Sequence, residues 1–304
     1  MPLKPPTLIY IAGYGRSGST ILGTILGAHP QIHNVGEIRH IFELWSTHDR
    51  PCACGASYHD CPFWRDLVNS PEAEKCRLLA RNMERFLYLP RLLAGSRDTV
   101  EWSQYLECQR RLLLYARERS GKPVILDSSK SAWSAAGRLL ALQQLPQEEV
   151  YVIHLVRSGL AVTESQVTKG TNRALEGSNK NPRGLALRTI VGWITANAIV
   201  TILTRYLPSG RYLRIRYEDF IDEPQSTLSN VAAFTGFDLV PVQQRIASQD
   251  HFEIGHIVAG NRLRFQQRVQ LRTSSVEKQR TQLTGRVRAL FWLLGGWLQH
   301  YYGY

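Results

Sequence analysis

The 304-residue chain is poor in lysine. Only seven of its 37 basic side chains are lysine (Lys4, Lys75, Lys122, Lys130, Lys169, Lys180 and Lys278), and the rest are arginine. The basic residues are scattered and never gather into a short run, so no nucleic-acid partner is expected. No secretory signal is visible, because the first apolar run is about six residues long and carries no cleavage-site pattern. A cytoplasmic chain is therefore the expectation. No transmembrane segment is expected either: the late run Ala289 to Leu298 is broken by Gly295-Gly296, and a bilayer span needs roughly 20 residues. Cysteines are few and odd in number (Cys52, Cys54, Cys61, Cys76 and Cys108), which argues against a disulfide framework. One further absence is local. Residues 13–20 read Gly-Tyr-Gly-Arg-Ser-Gly-Ser-Thr, the spacing of a phosphate loop, but the lysine that an NTPase needs after the second glycine is missing and Ser19 stands in its place.

What is present fits a globular α/β chain. The 43% hydrophobic content suffices for a sizeable core. Apolar strand-like runs at Thr7–Ala12, Gln31–Val35, Val124–Asp127, Val150–Val156 and Arg211–Arg216 alternate with helical patterns at Ser19–Ala28, Ala132–Gln144, Thr189–Tyr206 and Gln225–Thr235. That alternation predicts a central parallel sheet flanked by helices, a three-layer fold of the P-loop type. The expected organisation is one domain over 1–304, with a mostly helical insertion at about 40–120 and a C-terminal helix at about 284–302. The polar stretch 168–184 reads as a mobile loop, and the basic region before the last helix as irregular. The aromatic stripe of that helix (Trp292, Trp297, Tyr301 and Tyr302) reads as core or as a dimer face, so a homodimer stays open, and a membrane surface is the competing use.

The loop carries the first chemistry. Gly13, Gly15 and Gly18 permit positive φ and close approach to a ligand. The amides of Ser17 to Thr20 would meet a phosphate at a helix N-terminus, Ser19 and Thr20 add hydroxyl donors, and Arg16 could reach across a transferring group. A net charge of +12 dominated by arginine suits a polyanionic ligand, although genomic base composition would produce the same bias. Arg157 lies where the Val150–Val156 strand ends, and Ser165 follows eight residues later on the next helix. Such a pair can hold a second phosphate of the same donor. The cluster Cys52-Ala-Cys54-Gly-Ala-Ser-Tyr-His59-Asp-Cys61 reads as a turn with free thiols or one local disulfide. A metal site with His59 as fourth ligand is the alternative, but Cys-x-Cys is tighter than the usual zinc spacing and no second pair follows. No metal is therefore assigned.

Together these residues resemble the sulfotransferase family that uses 3'-phosphoadenosine 5'-phosphosulfate (PAPS), with motifs most similar to the bacterial, tyrosylprotein and carbohydrate members. The resemblance implies that Gly15, Arg16, Ser17, Gly18, Ser19 and Thr20 hold the 5'-phosphosulfate. It implies that Arg157 and Ser165 bind the 3'-phosphate. The His29-Pro30 to Gly36-Glu37 segment is similar to one in which the glutamate is the general base. Lys130 resembles a second catalytic cation, and Tyr217 in Arg214-Ile-Arg-Tyr-Glu-Asp219 resembles a tyrosine that approaches the nucleotide. Asn261 and Arg264 lie in a segment similar to one that closes over the donor phosphates. PAPS is then the co-substrate, no metal is required, and the partner is a hydroxylated acceptor: carbohydrate, phenol, lipid or tyrosine. Cytosolic members carry lysine in the first loop and a histidine base after the middle strand. This chain has Arg16 in the loop and Asp127-Ser128-Ser129-Lys130 after the strand, so Glu37 is favoured as base, with His33 and Asp127 as rivals. Glu37 as a dipole-compensating carboxylate and Lys130 as a solvated lysine are the structural alternatives. Trp45, Trp64, Trp102 and Trp133 could stack on a sugar or phenol, or simply pack. The competing functions are a P-loop kinase or NTPase, with Asp127 on magnesium, and a non-catalytic nucleotide- or polyanion-binding protein.

Overall fold

A computed structural model describes residues 7–41, 51–94, 99–130, 135–146, 148–171, 183–271 and 282–304. Five strands form one parallel sheet: β1 (Leu8–Ala12), β2 (Ile32–Gly36), β3 (Val124–Asp127), β4 (Val150–Val156) and β5 (Tyr212–Arg216), in the order β2-β3-β1-β4-β5. Near-continuous apolar runs suit strands covered on both faces, and every residue of β1, β3 and β4 is buried. The pleat sorts them. Leu8, Tyr10 and Ala12 pack with the helical insertion, while Ile9 and Ile11 pack with the Ser19–Leu26 and Pro224–Thr235 helices.

The chain runs from β1 to the β2 side of the sheet and from β4 to the β5 side. Strands β1 and β4 are adjacent, so the connectivity reverses between their carboxyl ends, the usual place for a ligand in an open α/β sheet. The edge at β2 is covered. Val258 bridges Gly36 in parallel, its amide bonding Val35 O at 2.9 Å and its carbonyl accepting from Glu37 N at 2.7 Å. An otherwise unpaired strand edge is thereby satisfied.

The described part of the insertion opens with turns over 51–64 and then carries helices at Arg65–Val68, Ala73–Met83, Leu89–Leu93 and Val100–Ser120. The last of these starts at Thr99, whose hydroxyl accepts from Trp102 N, and stops at Gly121 in the left-handed region. The C-terminal helix spans Gly285–Tyr301 and packs on the Gly159–Lys169 and Leu185–Leu203 helices through Phe291, Leu298 and Tyr302.

Several expectations change. Residues 168 and 169 belong to a helix, Leu185 begins another, and the 172–182 part of the expected loop lies outside the described residues. The helix expected from Ala132 is seen only over Arg138–Leu142, and its start falls in 131–134, also outside them. The region expected to be irregular contains a helix, Val240–Ala247, and a small antiparallel pair, β6 (Phe252–Glu253) and β7 (Arg268–Val269). Cys76 and Cys108 form a disulfide between two insertion helices, against the expectation from the odd cysteine count. Among the described residues, one helical stretch, Leu185–Tyr206, is long and apolar enough to cross a membrane. Its Trp193, Asn197 and Val200 are buried inside the fold.

Candidate active site

The loop after β1 takes its shape from three positive-φ residues: Gly13 (133°), Arg16 (67°) and Gly18 (91°). Gly15, expected to need that freedom, does not use it. At Gly18 a side chain is excluded twice, by φ and by Tyr217, whose Cδ2 would stand 2.3 Å from an added Cβ. Gly18 precedes the Ser19–Leu26 helix without any side-chain cap. Its carbonyl accepts from the amides of Ile21 and Leu22. The Ser19 and Thr20 amides, ahead of them, have no carbonyl within the helix. Ser17 Oγ is buried with no hydrogen-bond partner. A buried hydroxyl left so is costly unless something fills the loop.

Two strand ends are joined at the reversal point. Arg157 Nη1 donates to Arg16 O at 3.0 Å, and its guanidinium lies 4.6 Å over the Tyr217 ring. Tyr217, the first residue after β5, therefore packs against both the loop and Arg157. Arg16 Nη2 donates to Gly170 O at 2.6 Å, at the end of the Gly159–Lys169 helix that carries Ser165. Ser165 is half-buried there, on the helix that begins two residues after Arg157.

On the other side of the loop, β2 and β3 contribute a carboxylate and an amine. Glu37 Oε1 pairs with Lys130 Nζ, and Glu37 Oε2 lies 3.6 Å from His40 Nε2. Lys130 has φ 65°, unusual for a side-chain-bearing residue, and its carbonyl accepts from Tyr10 OH. Burial pushes the Glu37 carboxyl up, but Lys130, His40 and Arg39 together outweigh it and hold its pKa below the ordinary carboxylate value. The late segment completes the enclosure. Asn261 N donates to Thr20 Oγ1 at 3.2 Å, and a Cβ at Gly260 would sit 3.1 Å from that hydroxyl and 3.9 Å from Glu37 Oε1. The loop, the carboxylate and the late turn thus converge. Asn261 also caps the short turn Arg262–Phe265, and buried Arg264 donates from Nη1 to Gly260 O at 3.0 Å.

The rivals for the base are engaged elsewhere. Asp127 Oδ2 accepts from Arg138 Nε (3.0 Å) and Nη2 (2.8 Å), while Oδ1 accepts from the Ser129 amide and hydroxyl. His33 stacks on Phe63 at 4.9 Å, and burial, with help from Lys122, lowers its pKa to about 4. Trp64 and Trp102 are fully buried, donating to His256 O and to Gln144 Oε1, so they pack. Trp45 and Trp133 lie outside the described residues.

Sequence reasoning missed a buried polar network beneath the pair. Glu84 accepts from Arg39 Nε (3.0 Å), Arg138 Nη1 (3.0 Å) and Tyr105 OH (2.7 Å). Gln109 accepts from Arg138 Nη1 at 2.6 Å. Arg39 N in turn donates to Ser129 Oγ, beside Lys130.

Residues 6–241 match the model of the "Sulfotransferase family". The chain belongs to the sulfotransferase family. It is 25% identical over 262 residues to human carbohydrate sulfotransferase 5, an alignment covering 74% of this chain and 60% of that protein. The chain thus spans less than two thirds of that curated relative. Its fold is shared with the sulfotransferase domain of the Synechococcus PCC 7002 olefin synthase (TM-score 0.56, 20% identity, covering 100% of this chain and 96% of that one). It is also shared with the sulfotransferase domain of the curacin biosynthetic pathway (TM-score 0.55, 17% identity, 98% of each chain).

Proposed function

We propose that this family member moves a sulfuryl group from PAPS to a hydroxyl of an acceptor, with Glu37 as general base. One observation carries the reading: the Glu37–Lys130 ion pair stands beside Thr20 of the anion-binding loop, under Gly260. A proton acceptor and a cation are held together at a site built for a donor anion. The joined Arg16 and Arg157 strand ends support a donor with two separated anionic groups.

The acceptor oxygen attacks sulfur in line. A new O–S bond forms as the bond from sulfur to the bridging oxygen breaks. The electron pair of that bond stays on the 5'-phosphate of the departing adenosine 3',5'-bisphosphate (PAP), and the acceptor proton passes to a Glu37 oxygen. Lys130, Arg16 and the amides of Ser19 and Thr20 stabilise the charge growing on the leaving phosphate. Lys130, paired with Glu37, keeps that carboxylate a weak base. When the donor draws Lys130 onto its bridging oxygen, the strongest charge holding the carboxylate down is withdrawn, and although His40 and Arg39 remain the basicity of Glu37 rises. Arg157, Ser165 and Tyr217 bind the 3'-phosphate end, and Asn261 and Arg264 support the turn over the loop. The carbohydrate sulfotransferase relative makes a sugar hydroxyl the first acceptor class to screen.

The kinase reading is disfavoured by Asp127, the candidate magnesium ligand, whose two oxygens are committed to Arg138 and Ser129. The test is a thermal shift with PAP against ATP-Mg, followed by sulfate transfer from labelled PAPS to hydroxylated acceptors. PAP is expected to stabilise and ATP-Mg not to. Glu37→Gln is expected to keep the PAP shift and lower transfer by about 10²–10⁴-fold. Stabilisation by ATP-Mg alone, or full transfer by Glu37→Gln, would overturn the reading.

A further inference from the structure

The three cysteines outside the disulfide are brought together by the fold, with a histidine that lies some 200 residues away in the chain. The thiols of Cys52, Cys54 and Cys61 and Nδ1 of His256 all lie within 4.8 Å of one another. Cys54 Sγ is 3.8 Å from Cys61 Sγ, and His256 Nδ1 is 3.4 Å from Cys61 Sγ and 3.9 Å from Cys52 Sγ. A tetrahedral zinc ion with bonds of about 2.3 Å to sulfur and about 2.0–2.1 Å to nitrogen requires sulfur–sulfur edges of about 3.8 Å and sulfur–nitrogen edges of about 3.6 Å. The three separations given lie within about 0.3 Å of those edges.

We propose that Cys52, Cys54, Cys61 and His256 form a structural zinc site. The ligand set is closed, three thiolates and one imidazole, and leaves no position for water or substrate. His59, the histidine adjacent in sequence, faces Asn69, its Nδ1 2.5 Å from Asn69 Oδ1, and is not in the cluster. The local backbone suits ligation. Cys52 and Cys54 flank a tight turn in which Cys52 N bonds Ala56 O and Gly55 N bonds Cys52 O, with Gly55 at φ 91°. Cys61 starts a helical turn, its carbonyl accepting from Trp64 N and Arg65 N. The histidine is held by its neighbours: Phe63 stacks on its ring at 5.6 Å, and Trp64 Nε1 donates to its carbonyl at 2.7 Å. Partners of this kind fix ligand orientation around metals. On binding, three thiols release three protons to solvent, and the divalent ion with three thiolates carries one net negative charge.

The site has a place in the molecule's architecture. His256 opens the segment that runs through Val258, paired to the β2 edge beside Glu37, to Gly260 over Thr20. A metal there staples the 52–61 turn to that segment and so fixes the late turn against the donor loop.

The test is metal analysis of the full chain, expressed with zinc supplementation and purified without chelator. One zinc per chain is expected. After exchange to cobalt, the wild-type protein is expected to show thiolate-to-cobalt charge-transfer bands and the visible bands of a tetrahedral site. Cys54→Ser, at the most exposed ligand, and His256→Ala are expected to lose at least ten-fold in metal content, and His59→Ala to keep it. Glu37→Gln is expected to keep the metal as well, so failure of the transfer chemistry and failure of the metal site read out separately. A wild-type chain that holds no zinc and gives no tetrahedral cobalt spectrum after reduction and reconstitution overturns the proposal. Full retention by His256→Ala with loss by His59→Ala also overturns it. Should the substituted chains fail to fold, wild-type stoichiometry and the cobalt spectrum still decide.

Discussion

At the residue scale, the site rests on positions where only one side-chain choice fits the backbone. Gly18 is the sharpest case, with φ 91° and the Tyr217 ring where a methyl group would go. Gly18→Ala is expected to destabilise the fold by about 1–3 kcal/mol from backbone strain, with further loss as Tyr217 is displaced. It is also expected to abolish the PAP-induced thermal shift, because Tyr217 is the ring against which Arg157 is held. Urea denaturation and the thermal shift together check this. A midpoint and a PAP response both equal to wild type would show that the loop does not depend on this contact. The loop itself was legible in sequence because its residues are contiguous. Arg16 at positive φ, where a glycine was expected, was not legible: nothing local distinguishes it from Gly15.

At the scale of elements, β1, β3 and β4 could be read directly, since an uninterrupted apolar run long enough for a strand and too short for a helix leaves few alternatives. The helix Val240–Ala247 was missed because its second residue is proline and its middle is Gln243-Gln244, which breaks the apolar signal. The network joining the insertion to the sheet was invisible for a different reason. Arg39 and Glu84 are 45 residues apart and Arg138 and Glu84 are 54 apart, so only tertiary packing brings them together, with Tyr105 and Gln109 of the Val100–Ser120 helix joining the network. Glu84 is fully buried and balances two buried guanidinium groups. Removing one partner from such an arrangement typically costs about 3–5 kcal/mol. Glu84→Gln is therefore expected to lower the urea midpoint strongly, while Glu74→Gln, in an exposed pair with Arg77, leaves it unchanged. Equal midpoints for the two variants would show that the network contributes nothing to stability.

At the scale of the whole molecule, His154 couples three elements. It sits in β4, bonds Asn197 of the Leu185–Leu203 helix and Tyr212 of β5, and meets the Tyr302 ring of the C-terminal helix edge-on. Burial lowers its pKa to about 4. The unfolded chain takes up a proton near pH 6.5 and the folded chain only near 4. The stabilisation is therefore complete above pH 6.5 and is lost as pH falls toward 4, by about 3 kcal/mol at most. The melting temperature is expected to fall across that window, and His154→Gln to flatten the fall. An unchanged slope in the variant would place the pH dependence on other groups.

The Glu37–Lys130 pair has a kinetic consequence. If Glu37 is the base proposed above, its lysine partner holds its basicity down until an anion draws that lysine away. An acceptor at a site without donor then faces a weakened base, and one beside the donor a strengthened one. On that reading the pair acts as an interlock on the chemistry: the base is armed only at a site that already holds its anion, and an acceptor hydroxyl keeps its proton until then.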